Sequence, residues 1–428
     1  YTQSDKPILQ QQEAGGHAVR AGYMYASIAD VAALTGDEDY LRTIDEIYEN
    51  IVSKKYYITG GVGARHEGEA FGADYELPNL TAYNETCAAI SMVYLFHRMF
   101  LLHGDAKYID CLERTLYNGV ISGMSVDGGR FFYPNPLSSD GRYAFNSDNT
   151  VERQPWFGCA CCPSNLCRFI PSFPGYMYAV KNHKVYVNLF AANTATIDVE
   201  GKEVVLEQQT DYPWDGEVRI VVKENKAKAF ELAIRIPGWL AFGGSPAPSN
   251  LYKYTNKVAS GERFTVVING KEFKPAAGDW DVEQGYLIIK RTWKKGDVVT
   301  LDFPMSVRTI EADEAVAADR GRVAVERGPL VYCAEGADNA GFSIFNYLMP
   351  QQPQFKVKDY TVNGNRDVNF HVRAIDVNGG QAIEQNDKGE AVVKTATLTM
   401  IPYYAWNHRG PGQMEVWMPQ TISALGTY

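Results

Sequence analysis

Leu34-Thr35-Gly36-Asp37 interrupts a helical pattern of apolar residues that runs from about residue 17 to 53. Leu102-His103-Gly104-Asp105 interrupts a second such pattern, from about 85 to 123. A glycine at such a break suits a left-handed helix end, and the aspartate after it suits the cap of the next helix. Gly36, Asp37 and Tyr40 fall on Gly104, Asp105 and Tyr108 at a fixed offset of 68, and Gly60-Gly61 falls on Gly128-Gly129 at the same offset. The chain therefore carries an internal repeat of a helix–turn–helix–loop unit. Two αα-hairpins cannot bury their apolar faces alone, so further hairpins before residue 1, or another chain, are expected to complete a helical toroid. The offset also places His17 on Glu85, each at the start of the first helix of its repeat. In a toroid of hairpins these ends share one mouth, where a pocket forms.

From about 176 the period changes to two. Strands are expected at 184–190, 217–222, 231–236, 264–268, 286–290 and 297–302. A second group begins near Arg308 and includes 322–326, 329–333 and 396–400, while 335–357 reads as loop. Short strands separated by Gly, Pro, Asn and Asp suggest antiparallel sandwiches. The fold class is multidomain α + β. A helical domain over 1–177 is followed by a β-sandwich over 178–306 and a second over 307–428.

Composition bounds the chemistry. A net charge of −10, with no basic run, argues against nucleic acid as a partner. No apolar stretch is read as approaching the ~18 residues that cross a bilayer. Aromatics at 12% suit stacking on sugar rings, but sandwiches are rich in aromatics anyway. No phosphate loop, dinucleotide fingerprint or serine nucleophile elbow is present.

The seven cysteines point elsewhere. Cys159-Ala160-Cys161-Cys162-Pro163 crowds three of them together, and Tyr83-Asn84-Glu85-Thr86-Cys87 places a fourth two residues from a carboxylate. Neighbouring cysteines make poor disulfide partners for each other, so metal or redox chemistry is the better reading. Three thiolates and a carboxylate match the donor set that Zn²⁺ prefers. Such a site is either a structural staple or an activated thiolate nucleophile. Cys159 competes as a ligand. Cys161 and Cys162 read as part of a Gly/Pro-flanked loop able to approach the Glu85 helix end. Glu69, in Gly68-Glu69-Ala70-Phe71, is either a general acid or a solvated loop residue. Tyr133 follows the Gly128-Gly129 turn on the pocket side, where packing alone would also explain it. His97 and His103 read as helix-face residues rather than ligands. Cys111, Cys167 and Cys333 read as small core residues.

Taken together, Tyr-x-Glu-Thr-Cys, the upstream Gly-Glu-Ala-Phe and the Cys-x-Cys-Cys-Pro loop resemble the β-L-arabinofuranosidases of glycoside hydrolase family 127 and its neighbour, family 146. Ile236-Pro-Gly-Trp239, Gly285-Tyr286-Leu287, Gly296-Asp297 and Glu326-Arg-Gly-Pro-Leu-Val-Tyr332 agree, so the resemblance covers nearly the whole chain. It implies an (α/α)6 barrel, of which this chain carries the later hairpins, followed by β-sandwiches. It implies Zn²⁺ on Glu85, Cys87, Cys161 and Cys162, with Cys161 also the nucleophile. Glu69 would be the general acid and then the base, in the retaining manner with a thiolate replacing a carboxylate. His17 and Tyr133 would bind substrate.

The expected function is a zinc-dependent retaining glycosidase that releases β-L-arabinofuranose from plant-derived oligo- or polysaccharides. The rival from another class is a non-catalytic carbohydrate-binding or scaffold protein with a structural zinc. A thiol redox protein is the third reading. With earlier hairpins missing, exposed apolar helix faces and self-association are expected. Reduced zinc cysteines suit either the bacterial cytoplasm or the periplasm.

Overall fold

Gly36 and Gly104 both take the left-handed conformation, with φ of 67° and 76°, and each closes the helix before it. Asp37 then caps the next helix by accepting from the Asp39 and Tyr40 amides, and Asp105 does so from the Lys107 amide. These punctuation marks define α1 (Ala18–Thr35), α2 (Glu38–Asn50), α3 (Thr86–His103) and α4 (Ala106–Arg114). Both second helices run on into a π turn, at 51–55 and 115–120. The computed structural model describes residues 2–240, 244–256, 263–273, 282–386, 388 and 390–426.

α1 and α3 lie side by side, because Gly22 leaves no room for a Cβ against Ser91. α3 is apolar nearly all round, with a mean hydropathy of 1.2 over 18 residues. That corrects the expectation that no stretch approaches membrane-spanning length. Two-thirds of the helix is buried within the protein, as befits a central core helix. Leu34 and Leu101, near the C-terminal ends of α1 and α3, are exposed.

The middle segment forms two facing sheets. The six-stranded one runs, in spatial order, Lys271–Glu272, Thr265–Ile268, Val298–Asp302, Glu217–Asn225, Lys202–Thr210, Asn193–Val199. The five-stranded one runs Val282–Glu283, Tyr286–Thr292, Ala229–Arg235, Lys184–Val187, Tyr178–Lys181. Alternate side chains, among them Val204, Leu206, Ile220, Leu232, Ile234 and Leu287, fill the space between the sheets. One pair, Lys184–Val187 with Ala229–Arg235, is parallel, which corrects the purely antiparallel expectation. The chain leaves the first of these strands, builds three strands of the other sheet, and returns beside it.

Among the described residues, nine strands of the third segment and two from the other segments form one connected network of eleven. Its centre is Arg322–Arg327 and Leu330–Glu335, buried on both faces. Val323, Val325, Leu330 and Tyr332 face one core; Ala324, Val331 and Cys333 face the core shared with the helices. Gln354–Asn363 and Asn369–Gln385 form a long hairpin, so 335–357 is not wholly loop. Two strands cross the expected boundaries. Tyr252–Tyr254 joins this network from the middle segment, and Ser138–Asp140 joins it from the helical one.

Buried ion pairs fasten α4 to both β parts. Arg235 reaches Asp110 at 2.6 Å and Glu113 at 2.5 Å, and Arg114 reaches Glu326 at 2.6 Å. Arg114 and Glu326 are both almost fully buried, so removing one partner strands the other charge. Arg114→Met should therefore cost about 3–5 kcal/mol of stability in denaturant unfolding. A loss below about 1 kcal/mol would mean that the pair behaves as a solvated one.

Candidate active site and metal centre

Two helix N-termini converge. Glu85 is the N-cap residue of α3, and Cys87 lies in its first turn. Cys161 and Cys162 open α5 (Cys161–Phe169), so they are helical, not in the loop expected from the flanking Gly and Pro. Amide dipoles at both ends favour negative charge there, which suits thiolates and a carboxylate. The Glu85 loop is fixed by long-range bonds: Tyr133 O accepts from the Thr86 amide at 2.9 Å, and Asn135 Nδ2 donates to Asn84 O at 3.0 Å.

One donor atom each from Glu85, Cys87, Cys161 and Cys162 lies within 4.8 Å of all the others. Glu85 Oε1 is 3.6 Å from Cys161 Sγ and 3.5 Å from Cys162 Sγ. Glu85, Cys87 and Cys162 are buried, and Cys161 is half-buried. Cys159 is exposed and outside this group, though near enough to help stabilise a Cys161 thiolate. Hydrogen bonds from Cys162 and then Cys87 hold the Cys161 thiol well below the usual cysteine range. Burial, then the Cys161 charge and Glu69, push the Glu85 carboxyl up to about 9. The hydrogen bond to Cys161 pushes Cys87 up, and burial pushes Cys162 up.

Glu69 stands across from the cysteines in a left-handed backbone conformation, φ 51°, directly after Gly68 at φ 71°. His17, the N-cap of α1, places Nε2 at 2.7 Å from Glu69 Oε2. The Arg20 amide donates to His17 Nδ1 at 3.4 Å, which leaves the Nε2 proton for Glu69. Tyr83 donates to Glu69 Oε1 at 3.0 Å, and Tyr133 does so at 3.3 Å. The Tyr133 oxygen is also 3.2 Å from Cys161 Sγ, so one hydroxyl bridges the thiol and the second carboxyl. Burial, then the Glu85 charge, raises the Tyr133 phenol, and it stays a donor.

Family models match all three segments. The catalytic-domain model of family 127 β-L-arabinofuranosidases covers residues 1–175, the middle-domain model 184–305 and the C-terminal-domain model 307–419. A non-reducing end β-L-arabinofuranosidase of Bifidobacterium longum subsp. longum is 35% identical over 97% of this chain. This chain belongs to glycoside hydrolase family 127. A solved family 127 β-arabinofuranosidase is 53% identical over the whole chain with a TM-score of 0.91. A family 127 β-L-arabinofuranosidase from Geobacillus stearothermophilus T6 is 37% identical over 97% of the chain, TM-score 0.84. The family 127 chain spans 61% of the bifidobacterial relative's length, and 63% and 62% of those two solved chains.

Within the family 127 chain, the donor set suits a thiophilic cation. Tetrahedral zinc with sulfur at about 2.3 Å sets two thiolates about 3.8 Å apart, and the Cys161 and Cys162 sulfurs are 3.9 Å apart. Glu85 Oε2 is buried with no hydrogen-bond partner among the described residues, an orphan acceptor that a cation would satisfy. His17, Glu69 and Glu85 form a second candidate group. It is the poorer one, because His17 and two tyrosine hydroxyls already engage both Glu69 oxygens.

The seven residues assigned to the site from the sequence, His17, Glu69, Glu85, Cys87, Tyr133, Cys161 and Cys162, thus come together in one cluster. His97 packs edge-on against Tyr176, and His103 bonds Asp45 at 2.8 Å; neither joins the cluster. Cys111 and Cys333 are buried, but Cys167 is exposed, which corrects its assignment to the core. Tyr83 was not foreseen as a site residue. Its position two residues before Glu85 in the same motif was the available signal.

Proposed function

We propose that this chain carries the catalytic centre of a zinc-dependent retaining β-L-arabinofuranosidase that acts on arabinose-containing, plant-derived glycans. One observation carries the reading: the Tyr133 hydroxyl lies within hydrogen-bond distance of both Cys161 Sγ and Glu69 Oε1, the pair read here as nucleophile and acid/base. In this reading the helices are the later hairpins of an (α/α)6 barrel, and the division is 1–177, 178–306 and 307–428. Earlier hairpins, or a second copy of the chain, would complete the barrel. The relatives' names support the activity class.

Glu85, Cys87, Cys161 and Cys162 would hold Zn²⁺. Bound there, the cation supplies the positive charge that keeps the thiolates deprotonated at neutral pH. In the first step Cys161 Sγ attacks the anomeric carbon. The C–S bond forms as the glycosidic C–O bond breaks, and Glu69 gives its proton to the leaving oxygen. In the second step the Glu69 carboxylate takes a proton from water, whose oxygen attacks the same carbon. The C–S bond breaks and the Cys161 thiolate is restored. Two inversions at one carbon give net retention. His17 and Tyr133, flanking Glu69, would contact the sugar.

Glu69→Gln tests this on the full-length gene product. It should lower kcat/KM for a glycoside with a sugar leaving group by about 10²–10⁴-fold. An unchanged rate would remove Glu69 from the mechanism.

A further inference from the structure

Glu69 is poorly constrained by its own backbone. It sits in a one-turn segment, Glu67–Glu69, at a left-handed φ, and its side chain is 31% exposed. A glutamate side chain in such a place samples several rotamers unless its oxygens are held. His17 holds Oε2. Two phenols approach Oε1, and they are not equivalent.

The Tyr133 hydroxyl is shared: it accepts from the Cys161 thiol and donates to Glu69 Oε1, and once that sulfur is a thiolate the one hydroxyl proton has two acceptors in reach. It cannot donate to both. The Tyr83 hydroxyl has Glu69 as its one hydrogen-bond partner among the described residues, and at 3.0 Å it is the shorter contact. Its ring is held on two sides, edge-on to His66 at 5.1 Å and against the Tyr133 ring at 6.0 Å. Its carbonyl accepts from the Asn135 amide at 3.0 Å. Tyr83 is also two residues from Glu85, so one short loop sets both the cluster carboxylate and the clamp on the opposite one.

We propose that Tyr83 is a positioning residue for Glu69: its hydroxyl fixes Oε1 and so aims the carboxyl at the leaving oxygen. This deepens the assignment of Glu69 above and rests on it. Tyr83 touches no reacting atom in this scheme. It acts through Glu69 alone.

Tyr83→Phe keeps the ring that packs on His66 and Tyr133 and removes only the hydroxyl. The test compares two β-L-arabinofuranosides on the full-length gene product, with metal content measured in each sample. A 4-nitrophenyl glycoside departs as a stabilised phenolate and needs little proton assistance. A sugar-linked glycoside departs as an alkoxide and needs the proton. Tyr83→Phe should lower kcat/KM by about 10–100-fold for the sugar-linked substrate, the scale of a misplaced catalytic group, and by less than about 3-fold for the nitrophenyl one. Equal losses on both substrates, or no loss on either, would overturn the proposal, equal losses marking a packing role. Glu69→Gln run in parallel separates the two claims. If Glu69→Gln shows the leaving-group dependence and Tyr83→Phe does not, the Tyr83 inference fails alone. If Glu69→Gln shows none, the acid assignment fails and takes the Tyr83 inference with it.

Discussion

Cys161→Ser is expected to abolish turnover, lowering kcat/KM by at least about 10⁴-fold, in the range seen when a covalent nucleophile is removed. The reason is chemical rather than steric. Cys161 is half-buried at the mouth of the cluster, within 3.2 Å of the Tyr133 hydroxyl that leads to Glu69. In the cation-free cluster its thiol is the one held below the usual cysteine range, while those of Cys87 and Cys162 are pushed up. A serine in its place is of similar size, but its hydroxyl ionises far less readily than a thiol. Glu85, Cys87 and Cys162 remain, so the variant should still bind metal, with one sulfur fewer. Activity assays with metal analysis on the same samples check both parts. Near-normal rates in Cys161→Ser would place the nucleophile elsewhere and leave the cysteines a structural role.

The double variant Glu85→Ala/Cys87→Ala should lose the metal altogether, from about one ion per chain to less than about a tenth, since two protein ligands seldom hold zinc at a site that normally has four. The consequence should extend beyond catalysis. Glu85 and Cys87 start α3, and Cys161 and Cys162 start α5, so an ion bound by all four ties two helix ends together. Without that tie, α5 and the Cys159–Cys162 segment should exchange amide protons faster, while the middle sandwich, with its own core, should not change. Full metal retention in the double variant would show that the ion sits on other residues. Uniform loss of protection across all three segments would show general unfolding instead.

Much of this was legible in the sequence, for identifiable reasons. The hairpin breaks were, because Gly36-Asp37 and Gly104-Asp105 act through local φ angles and local caps. The Glu85–Cys87 spacing was, because one turn of helix sets it. Glu69 was ambiguous, because its partners His17, Tyr83 and Tyr133 lie 52, 14 and 64 residues away, and no local pattern reports such contacts. The hairpin from 354 to 385 was missed because its first strand is largely exposed, and Lys and Asp interrupt its alternation. The parallel pair was missed because its strands are joined through three others. Cys167 was misplaced because the buried stripe of α5 runs through Cys162, Leu166 and Phe169, and position 167 falls beside it.

The most direct test of the central claim is the metal content and X-ray absorption spectrum of the full-length gene product, purified without chelator or affinity metal. One zinc per chain is expected, with about three sulfurs at about 2.3 Å and a carboxylate oxygen at about 2.0–2.2 Å. An active, folded enzyme that holds no metal, or one whose zinc has only nitrogen and oxygen neighbours, would contradict it.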